Sequence, residues 1–455
     1  MSTRTDKMKV GMFIRPCGHH IASWRHPEGH ADAGANFARM IEIAQTAERG
    51  LLDMVFCADT HSVFTAHEQG LHRLHYVAWI EPFTMLAALA SHTKNIGLVC
   101  TASTSFEQPY IVARKFASLD LVSGGRSGWN VVTSGNATEA LNFGNEPHKP
   151  KDERYKRGKE FVEVVQALWD SWDGDAFVRD KEACLFFDPE KMHTLNHHGE
   201  FFDVRGPLNV PRSPQGQPVL VQAGASDDGR ELAAQTAEVV FTAHPGIEPA
   251  KAFYADLKGR MARYGRNPDH LKILPGLSII VGRTHAEAVE KQEQLDELLH
   301  PDVGLSLLST RIGHDLTGFP FDGPLPPLPE NKVISSRSDV AIEMARSKNM
   351  TIRQLCQWFA RQRGHAGFVG TVTEVADQME MWFNEGACDG FNFLAPVFPI
   401  GLNDFVDLVV PELQRRGLYR TAYEGPTLRD ILGLPIPQSR YARGSAMQDK
   451  ATVSA

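Results

Sequence analysis

Cysteine is scarce in this chain of 455 residues: it has six, which lie far apart and form no Cys-x-x-Cys pair. This pattern argues against a disulfide framework and favours a reduced, cytosolic compartment. Long hydrophobic runs are also missing, since no segment approaches the roughly 18 apolar residues of a membrane span. The amino end, Met1–Lys9, lacks the apolar core of a signal peptide. The sequence therefore predicts neither a membrane partner nor export.

A surplus of basic charge is absent as well. The chain has 47 Lys and Arg against 55 Asp and Glu, a formal net charge of −8 at pH 7. A nucleic-acid surface needs a basic face, so we expect no nucleic-acid partner. Hydrophobic residues make up 42% and charged residues 22% of the chain. This balance predicts a large packed core, with disorder only at the ends.

Several common catalytic motifs are missing. There is no Gly-x-Gly and hence no dinucleotide-binding fingerprint, and there is neither a Gly-Lys-Ser/Thr phosphate loop nor a Gly-x-Ser-x-Gly elbow. The 19 histidines raise the question of a metal. However, neither the pair His26 and His30 nor the pair His72 and His75 has the flanking acid of a His-Glu-x-x-His site. We therefore predict no metal.

What the chain does contain is a regular alternation of strand-like and helix-like segments. About eight strands alternate with helices, which predicts a parallel sheet, either a closed (β/α)8 barrel or a doubly wound sheet. The predicted strands are 9–14, 53–57, 96–101, 129–132, 218–222, 239–242, 273–281 and 390–394. The predicted helices are 36–49, 82–91, 111–122, 153–172, 229–237, 249–264, 285–299, 374–384 and 404–416.

One domain is expected over residues 1–440, with two insertions that interrupt this alternation. Residues 175–214 are polar and rich in turns, and residues 301–364 contain the proline-rich run Phe319–Pro327. Long irregular stretches in a compact domain are often lids or binding loops, and a plain surface excursion is the alternative for the first of them. Residues 441–455 are expected to form a flexible tail.

Polar residues at the carboxyl ends of the predicted strands form the candidate site, because these ends share one mouth in a barrel. Ser226 follows a glycine at the start of a predicted helix, where free N–H groups suit a phosphate. The alternative is that its hydroxyl simply caps the helix. The full set of such residues is Asp59, Thr101, Ser103, Asn130, Thr133, Ser134 and Ser226.

One segment carries a specific resemblance. Residues 123–134 read Ser-Gly-Gly-Arg-x-x-Trp-Asn-Val-Val-Thr-Ser, a sharp turn, an apolar strand and a polar end. This pattern resembles the flavin-dependent monooxygenases related to nitrilotriacetate monooxygenase, within the bacterial luciferase-like superfamily. The resemblance extends over about Lys9–Pro435 and includes further matches at Ser23–Pro27, Pro109–Arg114, Asp152–Tyr155, Gln222–Ser226 and Val409–Gln414.

The resemblance implies a luciferase-like TIM barrel that binds FMN without a covalent bond. A separate NAD(P)H:flavin reductase would supply FMNH2, to which O2 adds at the flavin C4a position before a small organic substrate is oxidised. His20 and Asn130 would be the catalytic residues beside the flavin. His314 is added to them, and together with the Pro/Phe segment after it, Phe319–Pro327, it would form a lid, which is a hypothesis from the sequence. The flavin would be held by Asp59, Thr101, Ser103, Asn130, Ser134, Tyr155 and Ser226, with Ser226 at the phosphate.

Other interpretations stay open at this point. Related barrels use a deazaflavin (F420) for hydride transfer, and a non-catalytic flavin-binding protein is a third possibility. Abundant Phe favours an aromatic or organosulfur substrate, whereas Arg15, Arg25 and Arg311 would suit an aminopolycarboxylate. Relatives often have His where this chain has Lys151, and His148 could take its place. By the resemblance we expect a homo-oligomer, a dimer or a tetramer.

Overall fold

The computed structural model describes residues 4, 6–63, 68–144, 148–328 and 336–442. Within these ranges a main sheet of nine parallel strands is accompanied by a short antiparallel ladder of two. The strands are β1 (Lys9–Ile14), β2 (Met54–Cys57), β3 (Gly97–Ser103), β4 (Ser127–Val132), β5 (His197–His198), β6 (Asp203–Val204), β7 (Val219–Gln222), β8 (Val239–Thr242), β9 (Lys272–Val281), β10 (Ala366–Gly370) and β11 (Gly390–Phe393).

Helices lie between the strands of the sheet along the chain. They are α1 (Phe37–Arg49), α2 (Pro82–Leu89), α3 (Pro109–Ser123), α4 (Ala137–Ala140), α5 (Lys151–Trp169), α6 (Asp227–Thr236), α7 (Ile247–Arg260), α8 (His285–Glu297), α9 (Pro301–Ile312), α10 (Ser336–Ser347), α11 (Ile352–Gln362), α12 (Val372–Asn384), α13 (Ile400–Asp404), α14 (Val410–Arg415) and α15 (Leu428–Leu432). No helix in the described ranges combines the length and apolarity that crossing a membrane requires.

The sheet closes into an eight-stranded barrel, which decides between the two predicted architectures. Each barrel strand pairs in parallel with the next in the order β1, β2, β3, β4, β7, β8, β9, β11, and β11 returns to β1. The remaining strand, β10, pairs with the carboxyl half of β9 outside this ring. The predicted (β/α)8 barrel is therefore confirmed.

Local sequence explains where the helices begin and end. Asn36 Oδ1 accepts the Ala38 N–H at 3.1 Å and caps α1, and Gly50 follows its last residue. Thr371 and Glu374 form a capping box that starts α12. These signals are local, so the sequence alone places both helices to within two residues.

The barrel interior is filled by aromatic and aliphatic side chains. Phe13, Phe56 and Phe241 project inward from three strands, and their ring centroids lie 5.4–5.7 Å apart. A larger apolar layer lies between the strands and the outer helices. The inner group forms the floor beneath the carboxyl ends of the strands, and so fixes where a ligand can sit.

The second insertion differs from the prediction. Residues 301–364 were expected to be irregular, but they hold α9, α10 and α11 with an apolar core of their own that also takes in Ile21 and Leu74. The prediction of a loop was based on the Pro-rich run. The signal that it overlooked is the capping box of Thr351 and Gln354, which starts α11. The first insertion, 175–214, is largely irregular as predicted. Residues 443–455, most of the predicted tail, lie outside the described residues.

Candidate active site

Hydroxyl and amide groups meet at the carboxyl ends of β3 and β4. Thr101 and Asn130 are paired in register on these strands, and Asn130 Nδ2 donates to Thr101 Oγ1 at 2.7 Å. Thr101 Oγ1 in turn donates to the carbonyl of Cys57 on β2 at 2.9 Å. Asn130 is buried, and its Oδ1 has no hydrogen-bond partner among the described residues. This acceptor is therefore free for a donor that enters the barrel mouth.

Ser103 and Ser134 extend this polar row. Their Oγ atoms lie 2.7 Å apart, and Ser134 has φ 45°, a left-handed backbone conformation that non-glycine residues seldom adopt. The Ser134 carbonyl is held by His148 Nε2 at 2.6 Å and by the Arg154 guanidinium. Backbone strain of this kind is concentrated at binding sites, where surrounding contacts maintain it.

Ser226 lies at the amino end of α6. Its Oγ accepts the Gly229 N–H at 3.3 Å and lies 3.3 Å from the hydroxyl of Tyr155 on α5. A Cβ placed on Gly224 would lie 3.2 Å from the Gly229 Cα. Gly224 and Gly229 thus let the segment after β7 approach the start of α6 closely. As a result, the backbone N–H groups of this helix start lie beside the hydroxyls of Ser226 and Tyr155.

Lys151 departs from the residue that relatives often have. Its Nζ pairs with Asp228 at 2.7 Å, next to the start of α6. His148 lies on the other side, against Ser134 and Arg154. Lys151 therefore offsets a negative charge that would otherwise disfavour an anion at this helix end.

Asp59 follows β2 on the same side of the mouth. Its Oδ1 accepts the Thr60 N–H at 2.9 Å, and Thr60 Oγ1 donates to Glu139 at 2.5 Å. Burial raises the pKa of Asp59 above its ordinary value, with Glu81 and Glu139 acting in the same direction. Asp59 therefore holds a proton more readily than a free Asp.

The histidines after β1 face in different directions. His20 Nδ1 accepts the Ala22 N–H at 3.1 Å, and its Nε2 lies 3.7 Å from Asp296, away from the aromatic interior. His19 instead lies 6.0 Å from Phe13 between ring centroids, and both its ring nitrogens are buried without a hydrogen-bond partner among the described residues. The structure thus brings His19, and not the predicted His20, to the mouth.

His314 stands apart from the other predicted residues. It follows α9, its N–H donates to the Ser309 carbonyl at 3.2 Å, and its ring lies 6.0 Å from that of Phe319. None of these groups belongs to the barrel mouth. The sequence grouped His314 with Asn130 as catalytic, and the structure does not bring the two together. A lid role for His314 and the segment Phe319–Pro327 stays a prediction.

Sequence reasoning missed polar groups on the remaining strands. Thr242 ends β8 and Asn392 lies on β11, and their buried side chains have polar atoms without a hydrogen-bond partner among the described residues. His365 precedes β10 and stacks on Phe241 at 5.1 Å between centroids. The available signal was a polar residue within an otherwise apolar strand, which these short segments show only weakly.

Comparison with known proteins identifies the family at this point. The sequence signature of the luciferase-like monooxygenases matches residues 8–387. The chain belongs to the luciferase-like monooxygenase family. The predicted family and fold are therefore confirmed, and the protein is an oxidoreductase.

Individual relatives cover almost the whole of this luciferase-like monooxygenase. It is 50% identical to N-acetyl-S-(2-succino)cysteine monooxygenase of Bacillus subtilis, over 97% of this chain and 100% of that protein. It is also 50% identical to nitrilotriacetate monooxygenase component A of Aminobacter aminovorans, over 96% and 99%. A riboflavin lyase solved with modified FMN and riboflavin is 31% identical, with a TM-score of 0.82 over 94% and 96%.

Proposed function

We propose that this protein is the oxygenase of a two-component system, and that it uses FMNH2 and O2 to oxidise a small organic substrate. The observation that carries the proposal is the close approach of Gly224 and Gly229 beneath Ser226 and Tyr155. Such an arrangement is suited to a phosphate, because N–H groups at a helix start favour an anion. Flavin use by a relative of the same fold supports this assignment.

The residues present fit a flavin at the mouth. Ser226 and Tyr155 would hold the phosphate of the flavin. The row of Ser103, Ser134 and Thr101 would hold its ribityl chain. The unpaired Oδ1 of buried Asn130 would accept a hydrogen bond from the ring. Asp59 would complete the set from β2.

The chain's own residues provide orientation and exclude water. Phe13, Phe56 and Phe241 close the floor of the mouth, which keeps water from the reacting atoms. Burial, together with the charges of Arg363, His365 and Arg15, lowers the pKa of His19 well below its ordinary value. His19 is therefore neutral at pH 7, where it can donate one hydrogen bond and accept another. When bound, reduced FMN supplies the electrons with which O2 is cleaved and one oxygen atom transferred.

The partner we propose is a separate NAD(P)H:flavin reductase. The relative named component A is one part of an enzyme with more than one component, which supports this arrangement. The two relatives at 50% identity are named for nitrilotriacetate and N-acetyl-S-(2-succino)cysteine. Both compounds carry several carboxylates, which supports a polycarboxylate substrate here. An assembly of identical subunits stays a prediction.

The test begins with anaerobic titration of the full-length protein with photoreduced FMN, followed by mixing with O2 in the presence of a substrate panel. We expect saturable binding of FMNH2 and substrate-dependent product formation. Binding of reduced deazaflavin but not of FMNH2 would overturn the proposal in favour of hydride transfer. Tight FMN binding without product from any substrate class would favour a non-catalytic flavin protein.

A further inference from the structure

Three arginines from different elements surround one tyrosine beside the barrel mouth. The Cζ atoms of Arg15 and Arg363 lie 5.1 and 4.7 Å from the ring centroid of Tyr76. Arg311, on α9, is close enough to Arg363 and Tyr76 for each to affect its pKa. The second insertion supplies two of these guanidiniums and the first follows β1, so only the folded chain assembles the group, which we call the arginine cluster (Arg15, Arg311 and Arg363).

Arg363 is the unusual member. It ends α11 with φ 50°, and its Nε and Nη2 are buried with no hydrogen-bond partner among the described residues. Its burial lowers its pKa, and the described group that opposes this shift is the Tyr76 hydroxyl. Asp296, a carboxylate on the same side, is already engaged by Arg361 at 2.8 Å. A buried cation with unpaired N–H groups is costly unless an anion joins it.

The charges of the arginine cluster also lower the pKa values of the histidines next to it. Burial and the charges of Arg363 and Arg15 lower the pKa of His75 well below its ordinary value, as they do for His19. His75 Nε2 lies 3.4 Å from Ser23 Oγ. The region is thus positive, as an anion site requires.

The cluster adjoins the proposed flavin site. The Cζ of Arg15 lies 5.3 Å from the ring centroid of Phe13, and Phe13 is part of the aromatic floor of the barrel. His19 lies against both Phe13 and His365. An anion at the arginine cluster would therefore place its uncharged portion over the interior of the barrel.

We propose that the arginine cluster is the substrate-recognition subsite, and that the substrate is a small compound with two or more carboxylates. A planar guanidinium binds a carboxylate through two parallel hydrogen bonds, and Arg363 offers two unpaired N–H groups for this purpose. Arg15 and Arg311 lie close by, and the two relatives at 50% identity are named for compounds with several carboxylates, which favours more than one carboxylate. This inference rests on the proposed function, and it favours a polycarboxylate over the uncharged aromatic substrate that the abundance of Phe suggested.

The first experiment measures binding to the full-length protein by calorimetry, with succinate, iminodiacetate and propane-1,2,3-tricarboxylate as probes. The trimethyl ester of the tricarboxylate, butyrate and inorganic phosphate are the comparison ligands. We expect at least one polycarboxylate to bind, the ester not to bind, and affinity to fall as salt rises. Binding of none of the polycarboxylates, or of phosphate alone, would overturn the inference. FMNH2 binding is measured on the same samples, so failure of the subsite is distinguishable from failure of the flavin site.

Variants assign the binding to the cluster. Arg363→Gln should weaken polycarboxylate binding by about 100-fold, and Arg363→Lys by about tenfold, because a single ammonium cannot replace the bidentate contact. FMNH2 affinity should be unchanged in both. Arg25→Gln is the matched control, since Arg25 is an exposed arginine that donates to the Leu298 carbonyl outside the cluster. Equal loss in Arg25→Gln and Arg363→Gln would count against the assignment.

A second readout separates binding from a structural role. Arg363→Met removes an unpaired buried charge, so the ligand-free protein should melt at the same temperature or higher while binding is lost. A structural arginine would behave in the opposite way. A lower melting temperature with unchanged polycarboxylate binding would refute the proposal.

Discussion

Two arginines at opposite ends of the barrel differ in how many of their hydrogen bonds are satisfied. At the amino end, Arg126 uses all its guanidinium N–H groups, donating to Ser123, Thr93, Ile96 and Ala90. At the mouth, Arg363 and Asn130 keep buried polar atoms that have no partner among the described residues. Among the described residues, Arg126 is thus fully hydrogen-bonded, whereas Arg363 is not.

Two acidic residues at the amino end are also paired with arginines. Asp53 precedes β2 and binds Arg420 at 2.6 Å, and Glu238 precedes β8 and binds Arg429 at 2.6 and 3.0 Å. These pairs connect the strands to the segment 419–434 that closes this end. These charged groups at the amino end are therefore used for stability, whereas Arg363 and Asn130 at the mouth keep unmet hydrogen bonds that suit a ligand.

The strongest test of the comparison is Arg126→Met at the amino end. This change leaves five buried acceptor contacts without a donor. We expect a loss of about 3–5 kcal/mol in the free energy of unfolding, measured by urea denaturation. Arg363→Met is the matched variant at the mouth, with no loss expected. If both lose stability equally, the two ends do not differ as described.

A second test replaces the unpaired amide. Asn130→Leu removes the unpaired Oδ1 together with the Nδ2 that donates to Thr101, so the free energy of unfolding should fall by about 1 kcal/mol at most. FMNH2-dependent turnover should fall about 100-fold, because a buried amide that orients the cofactor is lost. Gln217→Leu is the control from the amino end, since Gln217 Nε2 donates to Asp170 at 3.0 Å. It should lose stability and keep its turnover per folded molecule.

The pH dependence of stability gives a third test. Asp120 accepts hydrogen bonds from Ser127 N at 2.8 Å and Gln215 Nε2 at 2.6 Å, and its burial raises its pKa to about 6. A raised carboxyl pKa contributes stability below the ordinary value, which is lost as pH rises through the folded value. Relative to Asp120→Asn, the wild type should therefore lose about 2 kcal/mol between about pH 4 and pH 6. Parallel pH profiles for the two proteins in denaturant titrations would contradict this.

The smallest expected effect separates a helix cap from a phosphate site. Ser226→Ala and Thr371→Ala each remove an N-cap side chain and should each cost about 1 kcal/mol of stability. Ser226→Ala alone should also weaken FMN binding by about tenfold, because its hydroxyl and that of Tyr155 face the mouth. Equal FMN affinity in the two variants, by fluorescence titration, would leave Ser226 as a cap only.

Much of the fold could be read from local sequence. Short apolar runs indicated all eight barrel strands, and capping residues such as Asn36 and Thr371 lie at the helix starts. The strand-end hydroxyls were also predictable, because parallel strands place their carboxyl ends together. The helices α9–α11 were missed, since their apolar faces pack on one another and on residues 71–77 rather than on the sheet.

The alternation of strands and helices, the polar ends of β3 and β4, and the family could be read from the sequence alone, because each depends on residues close together in the chain. It could not decide between His19 and His20, since only the packed turn after β1 shows which ring faces Phe13. Nor could it bring Arg15 and Arg363 together across some 350 residues of chain. Both features depend on the folded chain, because contacts between distant elements fix both the direction of a side chain and the charge that surrounds it.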